Sequence, residues 1–365
     1  MLKAYKYRLY PNVSQSILLN KTFGCVRYFW NKQVEVFNSY DKETNPTVVF
    51  KTSTKIRNEN EWMKEVSAAA IQQKEIDFKE FKKQRFSSKR KKKVGNPSFK
   101  NRNSRQSFRL PNQKFTILEG KIRLEKIGRV KFIKDRSLPP ECKIMSVTVS
   151  KDTTGKYFAS VLVETGIKTL EIAGKSIGID VGIKEFATLS DGIVIKNPNY
   201  FRDSQTKLKR AQRRLSKKKK GSSRYKKCKI KVAFIHKKIA NQRDYFLQTT
   251  STFIVKNYDL ISIEDLNVAG MVKNRKLAKS ISDASFSRFF AMLDYKCRWY
   301  GKELIKIPRF EPSSKKCSSC GIVKKELKLS DRVYHCESCG LKMDRDLNAS
   351  ININAIGVEI AKKRA

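Results

Sequence analysis

Apolar and polar residues alternate from Lys3 to Tyr10, the period of a strand, and Pro11-Asn12 ends the run. Asn12 and Gln15 then stand at capping-box spacing, so a helix is expected to start there. From about residue 13 to 93, apolar groups such as Leu18, Cys25, Val26, Phe29 and Trp30 recur at intervals of three, four and seven, which predicts a helical domain. The basic segment 82–93 and the turn-forming Gly95-Asn96-Pro97 mark a boundary near 95. Between about 105 and 166 the pattern shortens to strand-like runs, KFTILEGKIRLEKIGRVKFI and MSVTVSKDTTGKYFASVLVE, which predict a small β barrel or sandwich. The strand at 3–10 has no neighbour of its own, so it is expected to join this β domain, making the helical block an insertion. From 175 onward SIGIDVGI, ATLSDGIVI, a long basic helical stretch, LISIEDL and further helices alternate as in an α/β domain.

Charge changes the picture. Lys and Arg number 80 against 34 Asp and Glu, a net +46 that internal pairing cannot neutralise and that calls for a polyanionic partner. With 39% hydrophobic and 10% aromatic residues the chain is a folded basic protein and no disordered tail. Its 365 residues suit two or three domains, enough for an enzyme. Residues 207–231 carry 14 basic groups and no acidic one, and Gly221-Ser222-Ser223 predicts that they form a basic helical hairpin. An ordinary charge run is a solvated helix face, but the total charge favours nucleic acid here. Phe81, Phe86, Phe99, Phe108 and Tyr225 interleave with the basic groups; each could stack on an unpaired base, although core packing is the commoner fate of such residues. No apolar run reaches the roughly 18 to 20 residues that span a bilayer, and the first residues lack a secretory apolar stretch, so a cytoplasmic, nucleoid-associated placement without a membrane partner is expected.

Four of the eight cysteines are scattered, at 25, 142, 228 and 297, whereas Cys317-x-x-Cys320 and Cys336-x-x-Cys339 form two pairs, each followed by a glycine. That spacing fits a zinc ribbon: two knuckles present four thiolates tetrahedrally, and Gly321 and Gly340 let the backbone turn tightly. Four sulfurs fill the shell, so such a Zn²⁺ is structural, and the neighbouring His335 is not needed as a ligand.

A second constellation is weaker residue by residue. Asp180 ends the strand-like SIGID, Glu264 ends LISIE, and Asp346 lies in the helical MDRDLNASININAIG. Acidic residues often end strands and cap helices; the trio matters because three carboxylates can hold two Mg²⁺ ions about 4 Å apart for phosphodiester cleavage. Asp265, Asp191 and Asp344 compete on proximity, but strand alternation points Asp265 away from the face of Glu264.

Taken together, YKYRLYPN, GNPSFK, GIDVGIKEFATLSDG, SIEDLNVAGM, CSSCG, CESCG and DRDLNASINI resemble the TnpB family, transposon-encoded relatives of type V CRISPR nucleases, over essentially the whole chain. The resemblance implies a ribonuclease-H-like (RuvC) nuclease domain whose catalytic, Mg²⁺-binding carboxylates match Asp180, Glu264 and Asp346. It also implies a zinc ribbon inserted ahead of the last helix, with Cys317, Cys320, Cys336 and Cys339 as ligands, and a wedge β-barrel carrying an inserted helical recognition domain. The expected boundaries are 1–12 for the first wedge strand, 13–95 helical recognition, 96–172 wedge, 173–312 nuclease, 313–343 zinc ribbon and 344–365 the last nuclease helix. Relatives of this kind bind a structured guide RNA and cut double-stranded target DNA beside a short adjacent motif, so both nucleic acids are the implied partners. Ser350 departs from the alanine more common in the family, a small-for-small exchange. A guided DNA-binding regulator without cleavage, a DNA transposase and a structural zinc-ribbon protein are the alternatives; the carboxylate trio speaks against the first, and the last leaves the GID, SIED and DRD motifs unexplained.

Overall fold

The computed structural model describes residues 1–39, 50–87, 94–167, 169–328 and 331–364, so part of the basic run at 82–93 lies outside the described residues. Two compact units divide the chain, Met1–Gly166 and Ile167–Ala365. Within the second unit Leu170 donates its backbone N–H to the Tyr300 carbonyl at 3.1 Å.

In the first unit β1 (Leu2–Tyr10) leads into α1 (Val13–Asn38), α2 (Ser53–Asn58) and α3 (Ala68–Phe86). Then follow β2 (Gln106–Pro111), β3 (Phe115–Leu118), β4 (Lys121–Leu124), β5 (Gly128–Ile133), β6 (Lys143–Lys151) and β7 (Tyr157–Glu164). Asn12 caps α1 as its spacing predicts: its side chain accepts from the Gln15 N–H at 2.8 Å, and the Gln15 side chain accepts from the Asn12 N–H at 3.1 Å. The seven strands form one antiparallel sheet in the order β2-β6-β7-β1-β5-β4-β3. β1 lies inside it, paired with β7 from Leu2↔Glu164 to Leu9↔Tyr157. The sheet curls, because its edge strands β2 and β3 are consecutive in sequence and joined by a single 3₁₀ turn, Asn112–Lys114. Alternation buries Tyr5, Tyr7 and Leu9 of β1 with Val147, Val149, Val161 and Val163, and Leu19, Phe23 and Val26 of α1 complete that core. Cys25 and Phe29 of the same helix pack instead with Ile56, Met63, Val66 and Ile71.

The second unit is built on a five-stranded sheet in the order β10-β9-β8-β11-β12: β8 (Ser176–Val181), β9 (Glu185–Leu189), β10 (Val194–Lys196), β11 (Leu260–Glu264) and β12 (Glu303–Ile307). β11 runs parallel to both β8 and β12, and β9 is antiparallel to its neighbours. Between β10 and β11 stand α4 (Tyr200–Ser216) and the long α5 (Ser223–Asn257), packed as the basic hairpin that the sequence predicts. Gly221, at φ +85°, turns the chain, and the Ser222 hydroxyl accepts from the Tyr225 N–H at 3.1 Å to start α5. After β11 come α6 (Val268–Met271), α7 (Ala278–Ala284) and α8 (Phe286–Tyr300), and after β12 the small hairpin of β13 (Val333–His335) and β14 (Lys342–Asp344), then α9 (Arg345–Lys362). Ile177, Ile179, Ile261 and Ile263 point to one face, where Leu247 and Ile254 of α5 and Phe286 and Phe289 of α8 cover them.

The opposite face holds Gly178 and Ser262, side by side in register, and α9 lies on it. Only small residues fit there. A Cβ on Gly178 would come within 2.1 Å of the Ser350 carbonyl oxygen, and one on Gly357 within 1.8 Å of the Ser262 hydroxyl.

Candidate active site and four-cysteine centre

Strand periodicity carries the acidic residues to the α9 face. Two positions beyond Gly178 and Ser262, side chains again point to the same side, and these positions are Asp180 and Glu264. They stand at the carboxyl ends of neighbouring parallel strands, the edge where open α/β sheets place their ligands. Asp346 enters from above, in the first turn of α9 and one turn before Ser350.

Asp180 feels the charges of both other acids. Burial, then the charges of Glu264 and Asp346, push the Asp180 carboxyl well above the usual carboxylate range, with Arg345 opposing. Asp346 is raised by burial and by Asp344, against Arg332, Arg345 and Lys184. Glu264 accepts a hydrogen bond from the buried Ser313 hydroxyl at 2.6 Å. A half-buried cluster of carboxylates suits a divalent ion, which would replace mutual repulsion by shared attraction. Among the described residues, however, the carboxylates are not gathered as tightly as shared ligation of one ion requires; the cysteines alone meet that standard.

The competing acids have other work. Asp344 caps α9, accepting from the Asp346 and Leu347 N–H groups at 2.9 and 3.0 Å. Asp265 pairs with Arg309 at 2.5 Å, and Asp191 accepts from the Tyr258 hydroxyl.

The ligand atoms of Cys317, Cys320, Cys336 and Cys339 lie within 4.8 Å of one another. The sulfurs of Cys317 and Cys339, and those of Cys320 and Cys336, are 3.6 Å apart, close to the roughly 3.8 Å edge of a tetrahedron with metal–sulfur bonds of about 2.3 Å and far beyond a disulfide bond of about 2.05 Å. Each knuckle repeats the other: Gly321 and Gly340 donate to the carbonyls of Cys317 and Cys336 at 3.0 Å, at φ +78° and +74°. The backbone N–H of Cys339, and after the opposing effect of burial that of Ser338, hold the Cys336 thiol below its ordinary value. The four residues can therefore hold a metal ion. His335 is exposed on β13 and stands outside this group.

Sequence patterns missed what joins the two sites. Asn348 and Asn352, buried one turn apart on α9, both donate to the Lys316 carbonyl, at 2.8 and 2.7 Å, and Asn352 also to that of Ser313 at 2.8 Å. The Asn348 side chain accepts from the Ser318 N–H at 3.0 Å. The first cysteine knuckle is thus pinned to the helix that bears Asp346; the i, i+4 spacing of two asparagines in an apolar helix was the available signal. Tyr334, fully buried between Cys317 and Cys336, is the other residue missed. The aromatic candidates divide. Phe108 belongs to the core and cannot stack on a base, and Phe81 packs on Trp30, Phe37 and Phe78. Tyr225 is half-buried, while Phe86 and Phe99 are exposed.

The fold is Cas12-like: a solved structure of Cas12f1 with sgRNA and target DNA aligns over 97% of this chain and 98% of that one, with a TM-score of 0.53 and 14% identity. Family models described as "Probable transposase", "Cas12f1-like, TNB domain" and "Helix-turn-helix domain" match residues 149–275, 286–353 and 1–42. Over the described part of 1–42 the elements are a strand and one helix, β1 and α1. A Streptomyces pristinaespiralis protein named "Putative RNA-guided DNA endonuclease" is 39% identical over 98% of this chain and 89% of its own length. The Escherichia coli (strain K12) protein "Putative RNA-guided DNA endonuclease InsQ" is 30% identical over 98% of this chain and 92% of its own. The chain belongs to the TnpB family.

Proposed function

We propose that this protein is a transposon-encoded, RNA-guided DNA endonuclease that binds a structured guide RNA and cuts target DNA beside a short adjacent motif. Supporting this reading are the names its full-length relatives carry and, from the geometry, one observation above all: the Gly178–Ser262 register that delivers Asp180 and Glu264 to the face where α9 brings Asp346.

In this reading the second unit is a ribonuclease-H-like (RuvC) nuclease with a zinc ribbon inserted before α9, and the first is a wedge domain with an inserted helical recognition domain. Residues 13–95, 96–172, 173–312, 313–343 and 344–365 keep the roles expected for them. Zn²⁺ held by the four cysteines is structural, and Mg²⁺ held by Asp180, Glu264 and Asp346 would activate water and stabilise the leaving oxygen of a phosphodiester. Ser313 orients Glu264 by its hydrogen bond, and the α4–α5 hairpin supplies cations for a phosphate backbone. Among the described residues no helix is long and apolar enough to cross a membrane.

The test is to purify the protein from cells carrying its flanking DNA, sequence the RNA that accompanies it, and incubate the complex with a matching plasmid and Mg²⁺. Wild type is expected to cut and Asp180→Asn to bind without cutting. Binding without cutting by both would make it a regulator, and absence of a defined RNA would end the guided reading.

A further inference from the structure

The first unit holds a cationic recess that the proposed catalysis does not use. Its volume is about 30 Å³, and Arg27 of α1, Lys74 of α3 and Asn101, Ser104 and Arg105 of the following segment line it together with Lys100. No carboxylate is among its lining residues. Asp77, close by, is shared between Lys74 at 2.6 Å and Arg109 at 3.0 Å.

The recess is built. Asn31 grips the backbone of Lys100 from both sides, accepting from its N–H at 2.8 Å and donating to its carbonyl at 2.9 Å. The Lys100 ammonium then lies over the Trp30 ring, 3.7 Å from its centroid, with no carboxylate partner among the described residues. Gln106 accepts from Arg27 at 3.1 Å and donates to the carbonyls of Arg102 and Ser104 at 3.0 and 3.1 Å, which folds the 101–106 turn against the recess. Burial and the neighbouring Lys74 hold the Lys100 ammonium down to about 8, and burial and then Arg102 lower Arg27. Cations crowded in this way destabilise one another until an anion arrives.

We infer that this recess seats one backbone phosphate of a nucleic acid, with Lys100, Arg27 and Arg105 as its cations and the polar 101–106 turn beside them. Its cationic lining, free of carboxylates, suits the oxygens of a phosphate. The inference rests on the proposed reading only in taking nucleic acid as the partner, and its test needs neither guidance nor cleavage.

The full chain is titrated with a single-stranded RNA and, separately, with a duplex DNA of unrelated sequence, between roughly 50 and 200 mM salt. Losing one phosphate contact lowers the slope of log affinity against log salt by about 0.9 for duplex DNA or about 0.7 for a single strand. The double variant Lys100→Gln/Arg105→Gln is expected to lose that much in one arm, which identifies RNA or DNA as the source, and Lys100→Arg to keep the wild-type slope. Arg105→Gln, at an exposed position, gives the same direction of change even where Lys100→Gln disturbs folding. Lys51→Gln removes one charge, as Arg105→Gln does, from an ammonium already paired with Glu59, and serves as the reference for that single variant. Slopes equal to that reference in both arms would overturn the assignment, whatever the outcome of the cleavage test.

Discussion

Substituting Gly178 by alanine tests the seating of α9. The new Cβ would lie 2.1 Å from the Ser350 carbonyl oxygen and 2.4 Å from the Asn354 nitrogen, both backbone atoms of α9. Ordinary contact needs about 3.5 Å, so the helix must recede by roughly 1 Å. Overpacking of this kind costs about 1–3 kcal/mol. Backbone on both sides gives no flexible end to swing away, which places this site near the upper figure. For a unit of this size about 3 kcal/mol corresponds to a fall in Tm of about 6–12 °C. The same displacement carries Asp346 away from Asp180, and a misplacement of about 1 Å at a reacting centre costs on the order of 100-fold in rate. Calorimetry of the purified protein and plasmid cleavage well below the melting range read the two effects. Gly357→Ala is the matched comparison: its Cβ would strike the Ser262 side chain, a Gly-to-Ala exchange favours the helix by about 1 kcal/mol, and the second change Ser262→Gly should restore both readings. The same second change should not rescue Gly178→Ala. A Gly178→Ala protein that melts within 2 °C of wild type (on the order of 1 kcal/mol) and cuts at the normal rate would refute this account.

Ser313→Ala removes a hydrogen bond to a carboxylate, worth about 1.5–3 kcal/mol, so cleavage should fall roughly 10- to 100-fold with nucleic-acid binding unchanged, as single-turnover kinetics and binding titrations would show. Stripping metal with a chelator, or Cys336→Ser, should lower Tm and loosen the segment that Asn348 and Asn352 hold; metal analysis should find about one zinc per wild-type chain and less in the variant, as four-thiolate sites require. Lys296, buried and donating to Gln248, Ser251 and Thr252, is held down to about 8 mainly by burial. Between about pH 8 and the ordinary 10.5 the unfolded chain binds the proton and the folded one does not, so this group's contribution to stability rises with pH. The advantage of wild type over Lys296→Met in denaturant melts should therefore widen across that window, and a constant difference would contradict the shift.

What the sequence made legible followed local rules. The capping box at Asn12, the break at Gly221-Ser222 and the twin knuckles around Gly321 and Gly340 each need only a few neighbouring residues to specify them. The acidic positions were legible as strand ends and a helix start, but their placement on the α9 face of the sheet depends on Gly178, Ser262 and Gly357 lying together across distant segments, which no periodicity displays. Phe108 went the same way: beside a basic run it has the pattern of a base-stacking residue, yet β2 alternation turns it into the core against Phe23. The amides of Asn348 and Asn352 were silent because their partners are backbone carbonyls, which every sequence supplies equally.

The order of the carboxylates along the chain has a consequence in time. A growing polypeptide emerges through Asp180 and Glu264 first, whereas Asp346 follows only after β12 and the cysteine knuckles. At roughly 5–20 residues per second the interval is several seconds, during which strands β8 and β11 can pair without the third acid. A nascent chain at that stage already carries most of its positive charge and can gather nucleic acid before it is able to harm it.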